Sequence, residues 1–153
     1  MRSAKKLQLE QLEKKLKPFA KAQEGQIPEA GWIKAIRSGL NMTMAQLGVK
    51  LNITRQGVKK LEDNEANGSI SLNSLRQTAE ALEFKLVYAL VPKDGSIQNL
   101  INQKAEELAR KIVLRTHQSM KLENQAIAEK KIKLAISELS EELKRDLNKS
   151  LWD

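Results

Sequence analysis

The sequence contains no cysteine, and aromatic residues make up only 3% of its 153 residues. Without cysteine the chain forms neither a disulfide bond nor a thiolate metal site, and its single histidine, His117, cannot build a metal cluster. The scarcity of aromatic rings means that the core must be aliphatic, and a hydrophobic content of 41% is enough to supply one. These shortages exclude a disulfide-stabilised scaffold and a zinc-dependent fold.

The sequence also lacks a membrane-spanning segment, a signal peptide and recognisable catalytic motifs. No apolar run approaches the roughly 20 residues that a membrane-spanning helix needs. The first residues, MRSAKKLQLEQLEKK, carry charges where a signal peptide has its apolar stretch, so we expect the protein in the cytoplasm. The sequence has no glycine-rich phosphate loop, no cleft-like pair of carboxylates and no nucleophile–base pattern. We therefore predict that the chain is not an enzyme and needs no cofactor.

Positive charge is abundant. The chain has 27 lysines and arginines against 19 aspartates and glutamates, which gives a net charge of +8. Such an excess suits an anionic partner such as DNA or a membrane surface. The length fits one domain of ordinary size or two small ones.

The spacing of apolar residues predicts a mainly α-helical protein with three regions. Residues 1–30 form a basic arm and a helix that Pro18 ends or bends, residues 31–96 form a helical domain, and residues 97–153 return to helix. Within residues 97–153, a pair of apolar stripes separated by a break near Asn124–Ala128 predicts a helical hairpin. The stripes consist of Ile97, Leu100, Ile101, Ala105, Leu108, Ile112 and Val113, and of Ile132, Ile136, Leu139, Leu143 and Leu147.

The stretch from Gln46 to Glu62 has the spacing of a helix-turn-helix. Gly48, on the first helix, allows the second helix to cross closely, and Asn52 tolerates the left-handed backbone of a tight turn. Thr54 is placed to cap the second helix by accepting a hydrogen bond from its first turn. Gly57, inside that helix, either permits a close approach to sugar–phosphate or fills an alanine-sized space.

The outward positions of the second helix, predicted over about Arg55–Asn64, carry side chains that recognise base pairs. Arg55 can donate a bidentate pair to guanine, and Gln56 can do the same for adenine. From residue 43 to residue 60 the segment has four basic residues and no acidic one. The alternative is a solvated charged face on a helical hairpin. The predicted DNA-binding residues are Gln46, Lys50, Thr54, Arg55, Gln56, Lys59 and Lys60.

The segment FKLVYALV, Phe84–Val91, is β-branched and aromatic, which predicts a short strand. A lone strand leaves its backbone groups unpaired, and the chain offers no convincing second strand. We expect pairing with the same strand of another copy, giving a homodimer that places two recognition helices roughly 34–36 Å apart on an inverted repeat. The alternatives are a buried helix or loop, or packing on the N-terminal arm. The predicted dimerisation residues are Phe84, Leu86, Tyr88 and Leu90.

Residues 31–82 resemble the lambda-repressor-like, or XRE, helix-turn-helix family. The stretches LQLEQLEKKLKPFAKAQ, GWIKAIRSGLNMTMAQL and LEFKLVYALVP together resemble the family named mobile mystery protein A. This resemblance implies a lambda-repressor-like helical bundle with one dimerising β-strand, similar to that of HipB-type antitoxins, and a C-terminal helical extension. It also implies a bacterial protein encoded beside a Fic-domain protein, and hence an antitoxin with a toxin partner.

The same resemblance directs attention to SMKLEN, Ser119–Asn124. The segment fits the inhibitory-helix pattern of Fic antitoxins, in which Ser119, Glu123 and Asn124 occupy the defining positions. Ser119 and Glu123 are four residues apart and so share one face of a helix. The resemblance implies that Glu123 pairs with a toxin arginine that otherwise holds the γ-phosphate of ATP. The alternative is a helix C-terminus at which Asn124 caps and Glu123 is solvated.

Together these features predict an antitoxin and transcriptional autorepressor. It would bind operator DNA as a dimer, associate with the nucleoid when bound, and inhibit a partner Fic-domain AMP-transferase. One alternative is a stand-alone XRE-type repressor whose C-terminal helices serve dimerisation or ligand binding. A third hypothesis is an interaction protein whose helix-turn-helix no longer binds DNA.

Overall fold

A computed structural model describes residues 3–117 and 125–153, and over these ranges the protein is mainly α-helical, as predicted. Two 3-10 helices, Lys17–Glu24 and Lys149–Trp152, follow the first and the last α-helix. No helix in the described ranges is long and apolar enough to cross a membrane. The α-helices are α1 (Ala4–Leu16), α2 (Trp32–Gly39), α3 (Met44–Leu51), α4 (Arg55–Asn67), α5 (Leu72–Ala81), α6 (Ile97–His117) and α7 (Gln125–Asp146).

The chain forms two compact units. Unit 1 comprises Met1–Ala20 and Leu90–Asp153, and unit 2 comprises Lys21–Ala89. The N-terminal helix thus groups with the C-terminal helices, whereas the sequence pattern treats residues 1–30 as a region of their own. The structural boundaries lie near residues 20 and 90, compared with the predicted boundaries after residues 30 and 96.

In unit 1 the helices α6 and α7 pack against each other, which confirms the predicted hairpin. The core of this unit consists of Ala105, Ala109, Val113, Ile136, Leu143 and Leu151. Glu13 of α1 accepts hydrogen bonds from the backbone nitrogens of Ile97, at 2.5 Å, and Gln98, at 3.2 Å. A carboxylate at this place satisfies two otherwise free N–H groups of α6 and suits the positive end of the helix dipole. This hydrogen bonding links α1 to the start of α6.

In unit 2 the core is built from Ile33, Leu47, Val58 and Leu82, at which α2, α3, α4 and α5 meet. Thr78 is also fully buried, and its hydroxyl donates to the carbonyl oxygen of Ser74 at 2.8 Å. That bond satisfies the hydroxyl inside the core, which is why a polar residue is tolerated there. The helical spacing of Leu72, Leu75, Ala79 and Leu82 predicts that all four face inward, but Leu72 is 48% exposed at the first turn of α5.

The predicted strand Phe84–Val91 is not formed in the single chain, and the described residues contain no strand. A strand requires hydrogen bonds to a second strand, and a single copy of this chain supplies none. Most apolar side chains of the segment are open to solvent: Phe84 is 48% exposed, Tyr88 62% and Leu90 89%, whereas Leu86 is partly buried. The segment is therefore neither a helix nor a buried loop, and its pairing with another copy stays a prediction.

Candidate nucleic-acid interface

Helices α3 and α4 are joined by a turn of three residues, Asn52–Thr54. Asn52 adopts the left-handed conformation, with φ 57° and ψ 43°, and closes α3. The Thr54 hydroxyl oxygen accepts a hydrogen bond from the backbone nitrogen of Gly57 at 3.0 Å, which caps α4. Both roles match those predicted from the residue types. The turn is therefore fixed by local hydrogen bonds at both of its ends.

The two glycines of this region face the turn residue Ile53. A Cβ on Gly48 would lie 2.7 Å from the Ile53 carbonyl oxygen, so the close neighbour is the backbone of the turn and not, as predicted, the second helix. A Cβ on Gly57 would lie 3.3 Å from the Ile53 Cβ. Gly57 thus makes room for Ile53, which stays 39% exposed at the corner. A side chain on Gly48 would therefore clash with the backbone of the turn, whereas one on Gly57 would require only a small shift of the Ile53 side chain.

A buried ion pair joins α4 to α2. The Arg37 Nε donates to the Glu62 Oε1 at 2.5 Å, and the Arg37 Nη2 donates to Oε2 at 3.3 Å. Arg37 is 8% exposed and Glu62 4%, so the pair is removed from solvent. The Nη1 of the same guanidinium donates to the Met42 carbonyl oxygen at 2.9 Å. One arginine thereby fixes the positions of α2, α4 and the loop before α3.

A second carboxylate of α4 lies one turn further along. Glu65 accepts hydrogen bonds from the backbone nitrogens of Trp32, at 3.0 Å, and Ile33, at 2.8 Å, at the first turn of α2. Gly31 has a positive φ of 88°, and a Cβ there would lie 2.7 Å from the Glu65 Oε1. Gly31 is therefore required both by its backbone conformation and by the carboxylate that packs on it.

Sequence reasoning missed this use of Glu62 and Glu65, although a signal was present. Val58, Glu62 and Glu65 are spaced by four and three residues, so they share one face of α4. Ile33 and Arg37 likewise share the apolar face of α2. The inward face of α4 therefore carries a negative charge and that of α2 a positive one, which is the pattern expected for a buried ion pair between two helices.

The exposed surface of α3 and of the first half of α4 is basic. All seven predicted DNA-binding residues are exposed. In the part of the chain that the structure describes, none of the four cations among them forms an ion pair. The positive end of the α4 dipole adds to their field at the N-terminal half of the helix. The four cations are Lys50, Arg55, Lys59 and Lys60.

Two of the seven residues also have a structural role. Gln46 forms a capping box with Thr43: its side-chain oxygen accepts from the Thr43 nitrogen at 2.8 Å, and the Thr43 hydroxyl accepts from the Gln46 nitrogen at 3.1 Å. The Gln46 amide NH₂ stays available as a donor. Thr54 caps α4 through its hydroxyl oxygen, which leaves the hydroxyl hydrogen to donate. Both side chains can thus contact a phosphate without giving up their caps.

The other predicted site residues lie elsewhere. Phe84, Leu86, Tyr88 and Leu90 belong to the non-helical segment described above. Ser119, Glu123 and Asn124, predicted to inhibit a toxin, lie outside the described residues.

Comparison with known proteins gives no relative for this arrangement. No protein-family model, no curated protein and no solved structure matches the chain. The resemblance to the mobile mystery protein A family therefore stays a prediction from the sequence.

Proposed function

We propose that the protein is a sequence-specific DNA-binding regulator in which α3 and α4 form a helix-turn-helix. What supports the proposal is the contrast between the inward and the exposed positions of α4. The buried Glu62 and the partly buried Glu65 hold the helix to α2, and its exposed positions carry cations without an ion-pair partner among the described residues. A rigid helix with unpaired donors on its outer side is suited to enter a major groove.

The outer residues divide by chemistry. Arg55 and Gln56 lie in the first turn of α4, where recognition helices contact base edges, and their groups pair bidentately with guanine and adenine. Lys59 and Lys60 follow one turn later, and Gln46 lies at the start of α3. These three donors suit phosphate oxygens, which set the register of a protein on the duplex.

Selection from a pool of duplexes with a randomised core tests the proposal directly. We expect the full-length protein to enrich an inverted repeat whose half-site centres are about 10 base pairs apart. The selected duplex should bind at least about 10³-fold more tightly than a scrambled duplex of the same composition at the same salt concentration. Equal affinity for the two duplexes would contradict specific readout and favour an interaction protein that has lost DNA binding.

Dimerisation through Phe84–Val91 is a further component of the proposal. If two copies of this segment pair as strands, Tyr88→Pro should convert the dimer into monomers, because proline removes a backbone donor and disrupts the ladder. Sedimentation velocity over a range of protein concentrations measures this change. Tyr88→Val, which keeps the donor and a strong strand propensity, is the matched control and should stay dimeric. A proline variant that remains dimeric would place the interface elsewhere.

Inhibition of a Fic-domain toxin is a separate proposal that rests on the sequence resemblance. The pattern Ser119–Asn124 lies in sequence between the paired helices α6 and α7. We expect Glu123→Gly to release the toxicity of a co-expressed Fic-domain neighbour while complex formation, measured by co-purification, stays nearly unchanged. Glu129→Gly, which removes the same charge further along the chain, is the control. Full protection by Glu123→Gly would exclude the ATP-site mechanism and favour a stand-alone repressor.

A further inference from the structure

Unit 1 contains a cleft of about 790 Å³. Its walls come from the first turns of α1, the start of α6 and the end of α7. Small-molecule sites in proteins typically have volumes of about 300–1,000 Å³, so the cleft is large enough for a ligand. None of the predicted DNA-binding residues lines it.

The cleft is lined by more positive than negative side chains. Lys144 is neutralised locally, because its Nζ lies 3.0 Å from the Glu141 Oε1. The cations of α1 and the neighbouring Arg145 have no carboxylate within ion-pair distance in the described ranges. The charged lining residues are Lys5, Lys6, Lys144, Arg145, Glu141 and Asp146.

Backbone groups add to this positive field. Ser3 lines the cleft and caps α1 by accepting from the Lys6 nitrogen at 3.2 Å. The first N–H groups of a helix have no partner within the helix and point towards its N-terminal end. They attract an anion together with the helix dipole. At the start of α6 the corresponding N–H groups already donate to Glu13. Of these two helix starts, α1 is therefore the one that offers donors to the cleft.

The remaining wall is apolar and includes a backbone of high energy. Leu9, Ile101 and Leu147 line it, and Ile101 is buried. Leu147 has a φ of 45°, in the left-handed region that costs a leucine roughly 1–2 kcal/mol. Leu147 follows the last residue of α7, and its nitrogen donates to the Lys144 carbonyl oxygen at 3.2 Å, so this conformation closes the helix beside the cleft. The lining thus offers an apolar surface beside the cationic one.

We propose that the cleft binds an oligophosphate, either free or as the phosphate chain of a nucleotide. Lys5, Lys6 and Arg145 would each contact phosphate oxygens through charge-assisted hydrogen bonds. Beside the Lys144–Glu141 pair, the three cations Lys5, Lys6 and Arg145 and the one carboxylate Asp146 leave the lining with a net charge of +2, which favours a ligand with several negative charges such as a chain of two or three phosphates. The apolar wall accommodates the base when the ligand is a nucleotide. This assignment does not depend on DNA binding by α4.

Isothermal titration of the full-length protein with pyrophosphate, and separately with tripolyphosphate and with ATP, tests this assignment in buffer without divalent cations. The double variant Lys5→Ala/Arg145→Ala should bind at least about tenfold more weakly than the unmutated protein, since each substitution removes a charge-assisted contact. The control Lys130→Ala/Lys133→Ala removes the same charge from exposed positions of α7 that do not line the cleft. Its affinity should change less than twofold. Lys5→Arg, which keeps the charge, should retain binding.

The possible outcomes separate the sources of the phosphate. Tripolyphosphate, which has the same three phosphates as ATP, is the reference for the base: tighter binding of ATP than of tripolyphosphate identifies a nucleotide ligand, and equal binding identifies the phosphate chain as the recognised group. If the cleft variant and the control lose affinity for the phosphate ligands equally, the effect comes from the overall positive charge of the protein, and the proposal is overturned. The proposal is also overturned if none of these ligands binds to the unmutated protein. That holds as well when the cleft variant loses affinity only for duplex DNA, because the cations would then serve DNA binding instead.

Discussion

The Glu62→Ala variant is expected to lose about 3–5 kcal/mol of the unfolding free energy of unit 2, because removing one member of a buried ion pair leaves the other charge unpaired. Arg37 is 8% exposed and cannot reach solvent without displacing the core around it. Its remaining hydrogen bond to the Met42 carbonyl oxygen, at 2.9 Å, satisfies one donor and leaves the charge uncompensated. Because α4 is held to α2 by this pair, the loss should also lower DNA affinity.

Tryptophan fluorescence during urea unfolding can measure this loss in unit 2 alone. The sequence has two tryptophans, and Trp152→Phe leaves Trp32, at the start of α2, as the only reporter. Asp63→Ala, at the exposed neighbouring position, is the matched control and should change stability by less than about 0.5 kcal/mol. A double variant with methionine at positions 37 and 62 should recover most of the lost stability. A loss below about 1 kcal/mol in Glu62→Ala would show that the pair does not hold α4.

Arg55→Ala is expected to reduce affinity for the selected duplex by about 1–3 kcal/mol, or roughly 5- to 150-fold, while binding to scrambled DNA changes little. Arg55 lies exposed in the first turn of α4 and forms no ion pair with any described residue. Its removal therefore costs no folding interaction, and any lost affinity comes from the DNA contact. We expect the base preference to relax at one position of each half-site.

Fluorescence anisotropy with both duplexes across a series of salt concentrations distinguishes base contacts from phosphate contacts. Lys60→Ala should weaken both complexes by a similar factor and reduce the slope of log K against log salt by about 1. Arg76→Ala, at an exposed position of α5, controls for the loss of a positive charge. If Arg55→Ala weakens the selected and the scrambled complexes equally, Arg55 contacts only phosphate and another residue reads the sequence.

The local features of this fold were predictable from the sequence. Thr43, Thr54 and Ser71 each accept from a backbone nitrogen three residues ahead, so residue type and spacing are enough to locate the helix starts. Asn52 at a positive φ follows from the same local preference. The exposed positions of Gln56 and Lys60 were also predictable, because helical periodicity places them away from the inward-facing residues. Arg55 is seven residues before the buried Glu62, and its exposure follows from its place at the first position of α4.

The non-local contacts were not predictable in the same way. Arg37 and Glu62 are 25 residues apart, and the Glu13 contact to Ile97 spans 84 residues. Periodicity identifies the inward face of a helix, but it does not say which face of another helix will meet it. A lone charge on an apolar face therefore indicates a buried partner without naming that partner. The predicted strand at Phe84–Val91 is a further case: the single chain does not form it, and a hydrogen-bonding partner would belong to another molecule.

The residues that hold α4 to α2 differ from those proposed to contact DNA, which affects how the proposed base preference could change. Arg55, Gln56, Lys59 and Lys60 are exposed, and none is fixed by an ion pair within the described chain. Exchanging such side chains usually alters stability by less than about 0.5 kcal/mol. Under the proposed function, a few surface substitutions would therefore redirect the protein to new DNA sequences, while Gly31 stays fixed and Arg37 and Glu62 can change only together.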